Sequence, residues 1–201
     1  MRLLALKIFF SLFCFEFLIA KEIIGTAIIN GERIQIFDDN TWKFTGNNRS
    51  SDEDCDLIKH ELYFCNNLSW IKVPNVQDPI TAQYNVNDRT YSMFIVERMG
   101  TSDGVSRDIM ADVALENAAN AAGVNVSDIP QHYVRDERVN GYDYLTIAYS
   151  AALSGMQFTF INNIFVLENL TVQATIYTLG NEVSDSLLEN NANLVKAMDF
   201  R

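Results

Sequence analysis

The sequence predicts an α+β fold, in which one curved antiparallel sheet of about six strands carries two main helices and follows a small N-terminal three-stranded β-meander. Long runs of the chain alternate apolar and polar residues with the period of two that strands show. Two other stretches place apolar residues at helical spacing beside capping residues. Short turns join successive strands, which must therefore be antiparallel. A length of 201 residues, with 48% hydrophobic and 20% charged residues, suits one main core.

The charge balance excludes one class of partner. Fifteen basic residues stand against 26 acidic ones, a net charge of −11. Such a surface repels phosphate backbones and anionic headgroups. We therefore expect no nucleic-acid binding.

Residues 1–20 resemble a secretory signal peptide. Arg2 and Lys7 flank an apolar run that ends at Ala20, where we expect cleavage. The alternative of a retained anchor is disfavoured because the run is shorter than the roughly 20 residues of a bilayer span and contains Glu16. Lipidation at Cys14 is disfavoured by the bulky Phe13 before it. The sequence therefore predicts a periplasmic or secreted protein without stable membrane insertion.

Cys55 and Cys65 are the only cysteines after the predicted cleavage point. An even pair in an exported chain favours a disulfide. The alternatives are two free buried thiols or a metal site, and His60 between the cysteines does not complete a zinc ligand set. We expect a structural disulfide and no bound metal.

The N-terminal meander is predicted over residues 21–45. Asn30-Gly31 separates two β-rich runs and is typical of a hairpin turn, and Trp42 and Phe44 alternate with polar residues in a third strand. A polar linker follows over residues 46–54. The main α+β domain is predicted over residues 55–201.

The first half of the main domain is predicted to contain two helices around a strand pair. A short amphipathic helix is expected between Cys55 and Cys65, and strands over Ile80–Tyr84 and Tyr91–Ile95. Ser106 and Gly123 are expected to cap a longer helix. Its expected inward face comprises Met110, Val113, Ala114, Ala118 and Ala121.

The second half is predicted to form four strands and a closing helix. The polar segment His132–Val139 suits an edge strand, and three longer alternating runs follow it, separated by short turns. The last helix is expected to begin at a capping box of Ser186 with Glu189. Its expected buried residues are Leu187, Leu188, Leu194, Val195 and Met198.

This order of elements over residues 69–201 resembles the Mog1/PsbP-like group and its exported bacterial relatives of the DcrB type. The resemblance rests on the segments Trp70–Pro74, Met93–Glu97 and Gly155–Phe160, which are similar to strands of that group. Separately, residues 30–44 are similar to a short element at the start of many exported bacterial proteins. The resemblance implies binding or assembly factors without a shared active site.

Residues for catalysis are few. His60 and His132 are the only histidines, and no HExxH, GxSxG, Walker or GxGxxG motif is present. We therefore expect no cofactor and no enzyme activity. The alternative is a hydrolase whose carboxylates meet only in the fold, for which Asp136, Glu137 and Asp143 are the candidate acids.

Aromatic residues supply the candidate binding surface. Trp42, Trp70, Tyr142 and Tyr144 are of the types that carry interface energy, although ordinary strand packing is the alternative. The sequence thus predicts a non-catalytic exported binding or assembly module. Its expected partner is another envelope protein or a small ligand.

Overall fold

The computed structural model describes residues 23–29, 32–39, 41–44, 55–66 and 68–201. The chain divides into two compact units, Met1–Ser51 and Asp52–Arg201. The predicted signal peptide over residues 1–20 and the predicted linker over residues 46–54 lie outside the described residues. In the described part, no helix is long and apolar enough to cross a bilayer.

The first unit contains the predicted meander. Strands β1 (Ile23–Ile29), β2 (Glu32–Phe37) and β3 (Trp42–Phe44) form an antiparallel sheet in the order β1-β2-β3. The register pairs Ile36 with Trp42. The structure therefore confirms three short strands in sequential order.

The second unit is built on a seven-stranded antiparallel sheet. After β4 (Asp56–Lys59) and β5 (Leu62–Phe64), which belong to a separate small sheet, its strands are β6 (Ile71–Lys72), β7 (Ala82–Asn85), β8 (Thr90–Glu97), β9 (Gln131–Val139), β10 (Tyr142–Leu153), β11 (Met156–Val166) and β12 (Thr171–Leu179). Their order in the sheet is β6-β7-β8-β12-β11-β10-β9. The expectation of about six strands holds, and the short edge strand β6 completes the sheet.

Two hairpin turns of the sheet have the backbone conformation that their residue types predict. Asn140-Gly141 joins β9 to β10 and Ser154-Gly155 joins β10 to β11, and all four residues have positive φ. Asn and Gly tolerate this conformation best, which makes such pairs suitable for two-residue hairpins. As predicted, β9 is an edge strand.

A second small sheet replaces the predicted helix between the cysteines. Strands β4 (Asp56–Lys59) and β5 (Leu62–Phe64) form a hairpin that pairs with β13 (Met198–Phe200). The helix prediction was wrong because apolar spacing in so short a run fits both periods, and burial of Leu62 and Phe64 on one side of β5 selects the strand. The predicted Cys55–Cys65 disulfide is confirmed and spans this hairpin.

Helix α1 (Arg107–Ala122) packs on β10 and β11. The Ser106 hydroxyl accepts from the Ile109 amide at 3.2 Å, and Gly123 ends the helix at φ 69°, as predicted. The predicted inward face was partly wrong, because Ala121 is exposed. The buried residues are Met110, Ala111, Ala114, Leu115 and Ala119.

Helix α2 (Asp185–Lys196) covers the opposite face of the sheet and packs on β12. Its N-cap is Ser184, whose hydroxyl accepts from the Leu187 amide at 3.2 Å, so the predicted cap at Ser186 was wrong by two residues. Leu187, Leu194 and Val195 are buried as predicted, whereas Leu188 is partly exposed. Met198 is buried in β13.

Candidate functional site

A continuous row of aromatic rings crosses the α1 face of the main sheet. Tyr91, Tyr177, Phe160 and Tyr149 occupy matching register positions on β8, β12, β11 and β10. Successive ring centroids lie 5.4, 5.5 and 5.2 Å apart, and all three pairs are stacked. Offset-stacked rings at this spacing stabilise each other beyond the effect of burial alone. We call these four residues the aromatic row.

The two ends of the aromatic row differ in exposure. Tyr149 and Phe160 are buried in the cluster that α1 covers. Tyr177 and Tyr91, on the side of the sheet away from those strands, are only half-buried. The Gln83 amide donates to the Tyr177 hydroxyl at 2.9 Å, and burial is the largest cause that raises the pKa of Tyr177. The Tyr91 end of the row is therefore the accessible end.

Beyond Tyr91 the same row continues onto β7 and β6. The register pairs Tyr91 with Asn85, and Asn85 with Ile71. Directly paired residues project from the same face of a sheet, so Ile71, Asn85 and Tyr91 line up side by side. Ile71 is 68% exposed, which is unusual for a large aliphatic side chain within a strand.

A pocket of about 380 Å³ opens at this end of the sheet. We call it the sheet-end pocket. Its lining residues are Ser69, Ile71, Asn85, Val86, Asn87, Asp88 and Tyr91.

The polar groups of the sheet-end pocket come mostly from the turn between β7 and β8. The side-chain oxygen Oδ1 of Asn87 accepts from the backbone amides of Arg89 at 3.0 Å and Thr90 at 2.9 Å, which fixes the turn. The side-chain nitrogen Nδ2 of Asn87 therefore remains as a donor. Within the described part of the chain, the Asn85 amide and the Asp88 carboxylate make no side-chain hydrogen bond.

The three candidate acids of the hydrolase alternative do meet, around a shallow depression of about 350 Å³ at the β9 edge. We call it the charged edge depression. It is lined by Arg107, Asp136, Glu137, Arg138 and Asp143.

The carboxylates of the charged edge depression are bound to separate partners. Arg107 lies 3.1 Å from Asp136, and Arg138 lies 3.6 Å from Asp143. The Tyr144 hydroxyl donates to Glu137 at 2.7 Å, and burial together with this bond raises the pKa of Tyr144. Neighbouring strand residues project from opposite faces, so Glu137 lies on the face opposite Asp136. Asp143 pairs in register with Arg138 and therefore shares the face of Asp136, where each of the two aspartates is bound to its own arginine.

His132 lies beside a serine in the described part of the chain. His132 Nε2 lies 2.8 Å from Ser150 Oγ, which lies 3.0 Å from Thr159 Oγ1. The Thr159 hydroxyl lies 3.1 Å from the Gly180 carbonyl oxygen, to which it can donate. These contacts tie the side chains of β9, β10 and β11 together at one end of the sheet.

The predicted aromatic surface is partly corrected. Trp70 is 8% exposed and packs on Phe64, and Tyr144 is 3% exposed and stacks on Phe165 at 4.7 Å. Both belong to the core, so neither provides a binding surface. Tyr142 is half-buried against Phe200 at 4.7 Å, and Trp42 is 56% exposed in the first unit.

The sequence did not identify Tyr91, at the accessible end of the aromatic row, or its neighbours Ile71 and Asn85. Their alignment depends on cross-strand register, which a single sequence does not specify. The alternation placed Tyr149 and Phe160 in phase with the apolar residues of their predicted strands, whereas Tyr177 is out of phase with Val172, Ala174 and Ile176 on the next strand.

Among the described residues, no three or more His, Cys, Asp or Glu side chains are grouped to hold an ion.

No known family profile matches the chain, and no curated protein matches it. Among solved structures, the cyanobacterial PsbP (CyanoP) of Synechocystis sp. PCC 6803 has a TM-score of 0.50 at 10% identity, covering 76% of this chain and 90% of that one. A Bacteroides thetaiotaomicron protein has a TM-score of 0.46 at 8% identity, covering 70% of this chain. The present chain spans only 45% of that protein. The chain has a Mog1/PsbP-like α+β fold.

Proposed function

We propose that the protein is a non-catalytic exported binding or assembly module that contacts its partner through the sheet-end pocket. The main support for this proposal is the alignment of Ile71, Asn85 and Tyr91 beside that pocket. An exposed aliphatic side chain and an accessible ring on a rigid sheet supply contact area at little cost in conformational entropy.

The position of the pocket supports this assignment. Tyr91 is held by stacking on Tyr177, and the turn above it is fixed by Asn87. Contact groups that are already ordered lose little freedom when a partner binds. The partner is another envelope protein or a small ligand.

Export agrees with the cysteine chemistry. The Cys55–Cys65 disulfide is of the kind that persists in oxidising compartments. A signal peptide over residues 1–20 would deliver the chain to the periplasm or the medium. The protein acts there without a catalytic residue.

Complementation of a deletion strain tests this function. Ile71→Ser and Tyr91→Leu should fail to correct the defect of the deletion strain, because they remove contact area from the sheet-end pocket. Each of four other variants should correct it: His60→Ala, His132→Ala, Asp136→Ala and Glu137→Ala. Loss of function in one of these last four, with folding and abundance unchanged, would contradict the proposal and favour the hydrolase.

A further inference from the structure

We propose that the sheet-end pocket binds a neutral carbohydrate, with one pyranose ring placed between Tyr91 and Ile71. The inference rests on the proposed binding function and adds the chemical class of the ligand. It follows from the spacing of the pocket walls, their hydrogen-bonding groups and their charge.

The spacing of the walls suits one ring. Ile71 and Tyr91 lie on strands that are separated by β7 alone, which places their backbones about 9 to 10 Å apart. Asn85 projects between them from β7, so a saturated ring lies over its amide and contacts the outer parts of both walls at about 4 Å. One face of Tyr91 is occupied by Tyr177, so its other face is directed along the row toward Asn85 and Ile71.

The chemistry of the walls suits a sugar face. The C–H groups on one side of a pyranose carry slight positive charge, and an aromatic face is the negative part of the ring quadrupole. Ile71 offers a purely apolar contact on the opposite side. A pyranose is one of the few neutral ligands with an apolar face and a polar rim.

The rim of the pocket offers both kinds of hydrogen-bonding group. Asn87 has amide protons to donate because its oxygen is used within the turn. The Asp88 carboxylate only accepts, whereas Asn85 both donates and accepts. Each hydroxyl of a sugar likewise donates once and accepts, so such a mixed set can bind neighbouring hydroxyls.

The charges favour a neutral sugar over an acidic one. None of the pocket residues is cationic, Asp88 is acidic, and the chain carries a net charge of −11. Uronates, sulfated sugars and phosphorylated headgroups would be repelled.

Isothermal titration calorimetry tests the proposal with the protein purified from an exporting host. The probes are cellohexaose, maltohexaose, xylohexaose and mannohexaose, with oligogalacturonate and hexalysine as charged comparisons. We expect at least one neutral hexasaccharide to bind and oligogalacturonate not to bind. Binding of none of the four neutral sugars, or stronger binding of hexalysine, would overturn the proposal.

Matched variants locate the binding. Tyr91→Leu and Ile71→Ser should each weaken it at least tenfold, whereas Tyr133→Leu on the far edge should change it less than twofold. Asp88→Asn should weaken it, and Asp112→Asn on an exposed turn of α1 should not. Ile71 is exposed, so its replacement tests the site even if Tyr91→Leu fails to fold. Unchanged affinity in Ile71→Ser would also overturn the proposal.

The carbohydrate proposal and the proposed binding function can be contradicted separately. If no sugar binds but Ile71→Ser still fails in complementation, the carbohydrate assignment is wrong and the binding function stands. If Ile71→Ser also complements fully, both are wrong.

Discussion

Among the described glycines, Gly100 is the one at which an added Cβ would meet other atoms within 4 Å. A Cβ built on it would overlap the carbonyl oxygens of Leu167 and Glu168. The contact joins the segment after β8 to the turn before β12, where the Thr101 amide donates to the Leu167 carbonyl at 2.9 Å. Backbone atoms of this kind cannot rotate away from an added methyl group.

Gly100→Ala should therefore lower the free energy of unfolding by about 1 to 3 kcal/mol, the usual cost of overpacking. Urea denaturation followed by Trp70 fluorescence measures it. Gly25→Ala is the control, because an added Cβ meets no atom within 4 Å there. Equal stability of Gly100→Ala and the wild type would show that the close approach is absent.

Burial of Tyr149 makes the stability of the fold depend on pH in the alkaline range. Loss of hydration raises the pKa of its hydroxyl from the ordinary 10.0 to about 12. The neutral form is thus favoured in the folded state, and this stability is fully present below pH 10 and is lost as the pH rises through 12. Buried Tyr84 and Tyr144, whose pKa values are also raised, act in the same direction.

The wild type should accordingly lose stability between pH 10 and pH 12 more steeply than Tyr149→Phe, which has no hydroxyl to ionise. Urea unfolding at pH 8, 10 and 11 measures the difference. A difference of about two pKa units corresponds to roughly 2 to 3 kcal/mol at its limit. Parallel pH profiles of the two proteins would contradict the role of Tyr149.

At the scale of elements, α2 is fixed at both its start and its middle. The Ser184 hydroxyl caps the helix. Asn191 accepts from the Asn163 amide nitrogen at 2.7 Å, and Asn163 also donates to the Ala174 carbonyl at 2.8 Å. A buried amide pair whose hydrogen bonds are satisfied determines the position of the helix on the sheet.

Ser184→Ala should cost about 1 kcal/mol, the typical effect of losing an N-cap. Ser186→Ala, two residues later in the same helix, should change stability by less than about 0.5 kcal/mol, because alanine is favourable inside a helix. Urea denaturation of both variants and the wild type measures these changes in the free energy of unfolding. The opposite order would mean that the helix begins at Ser186.

The sequence was informative about elements where the pattern was long. The runs of β10, β11 and β12 were long enough to show a period of two, and Ser106 with Gly123 marked both ends of α1. The hairpin of β4 and β5 was missed because its strands are only four and three residues long. The start of α2 was missed because Ser184 and Ser186 are both capping residues by type, and only geometry distinguishes them.

At the scale of the whole molecule, the fold was predictable and the site was not. Short turns, two capped helices and an edge strand leave few arrangements for one sheet. The sheet-end pocket depends instead on β6 and on the register of three strands, which places Ile71 beside Asn85 and Tyr91. Burial likewise removed Trp70, just before β6, and Tyr144, on β10, from the predicted surface, because both pack in the core cluster that α2 covers.

The most direct test of binding at the sheet-end pocket is photocrosslinking in the cells that produce the protein. A benzophenone side chain at position 69 lies at the rim of the sheet-end pocket, and the same group at position 112 lies on an exposed turn of α1. We expect a crosslinked species of higher mass from position 69, absent from position 112 and lost when Tyr91 is also replaced by Leu. No crosslinked species from position 69, or equal amounts from both positions, would contradict binding at this end of the sheet.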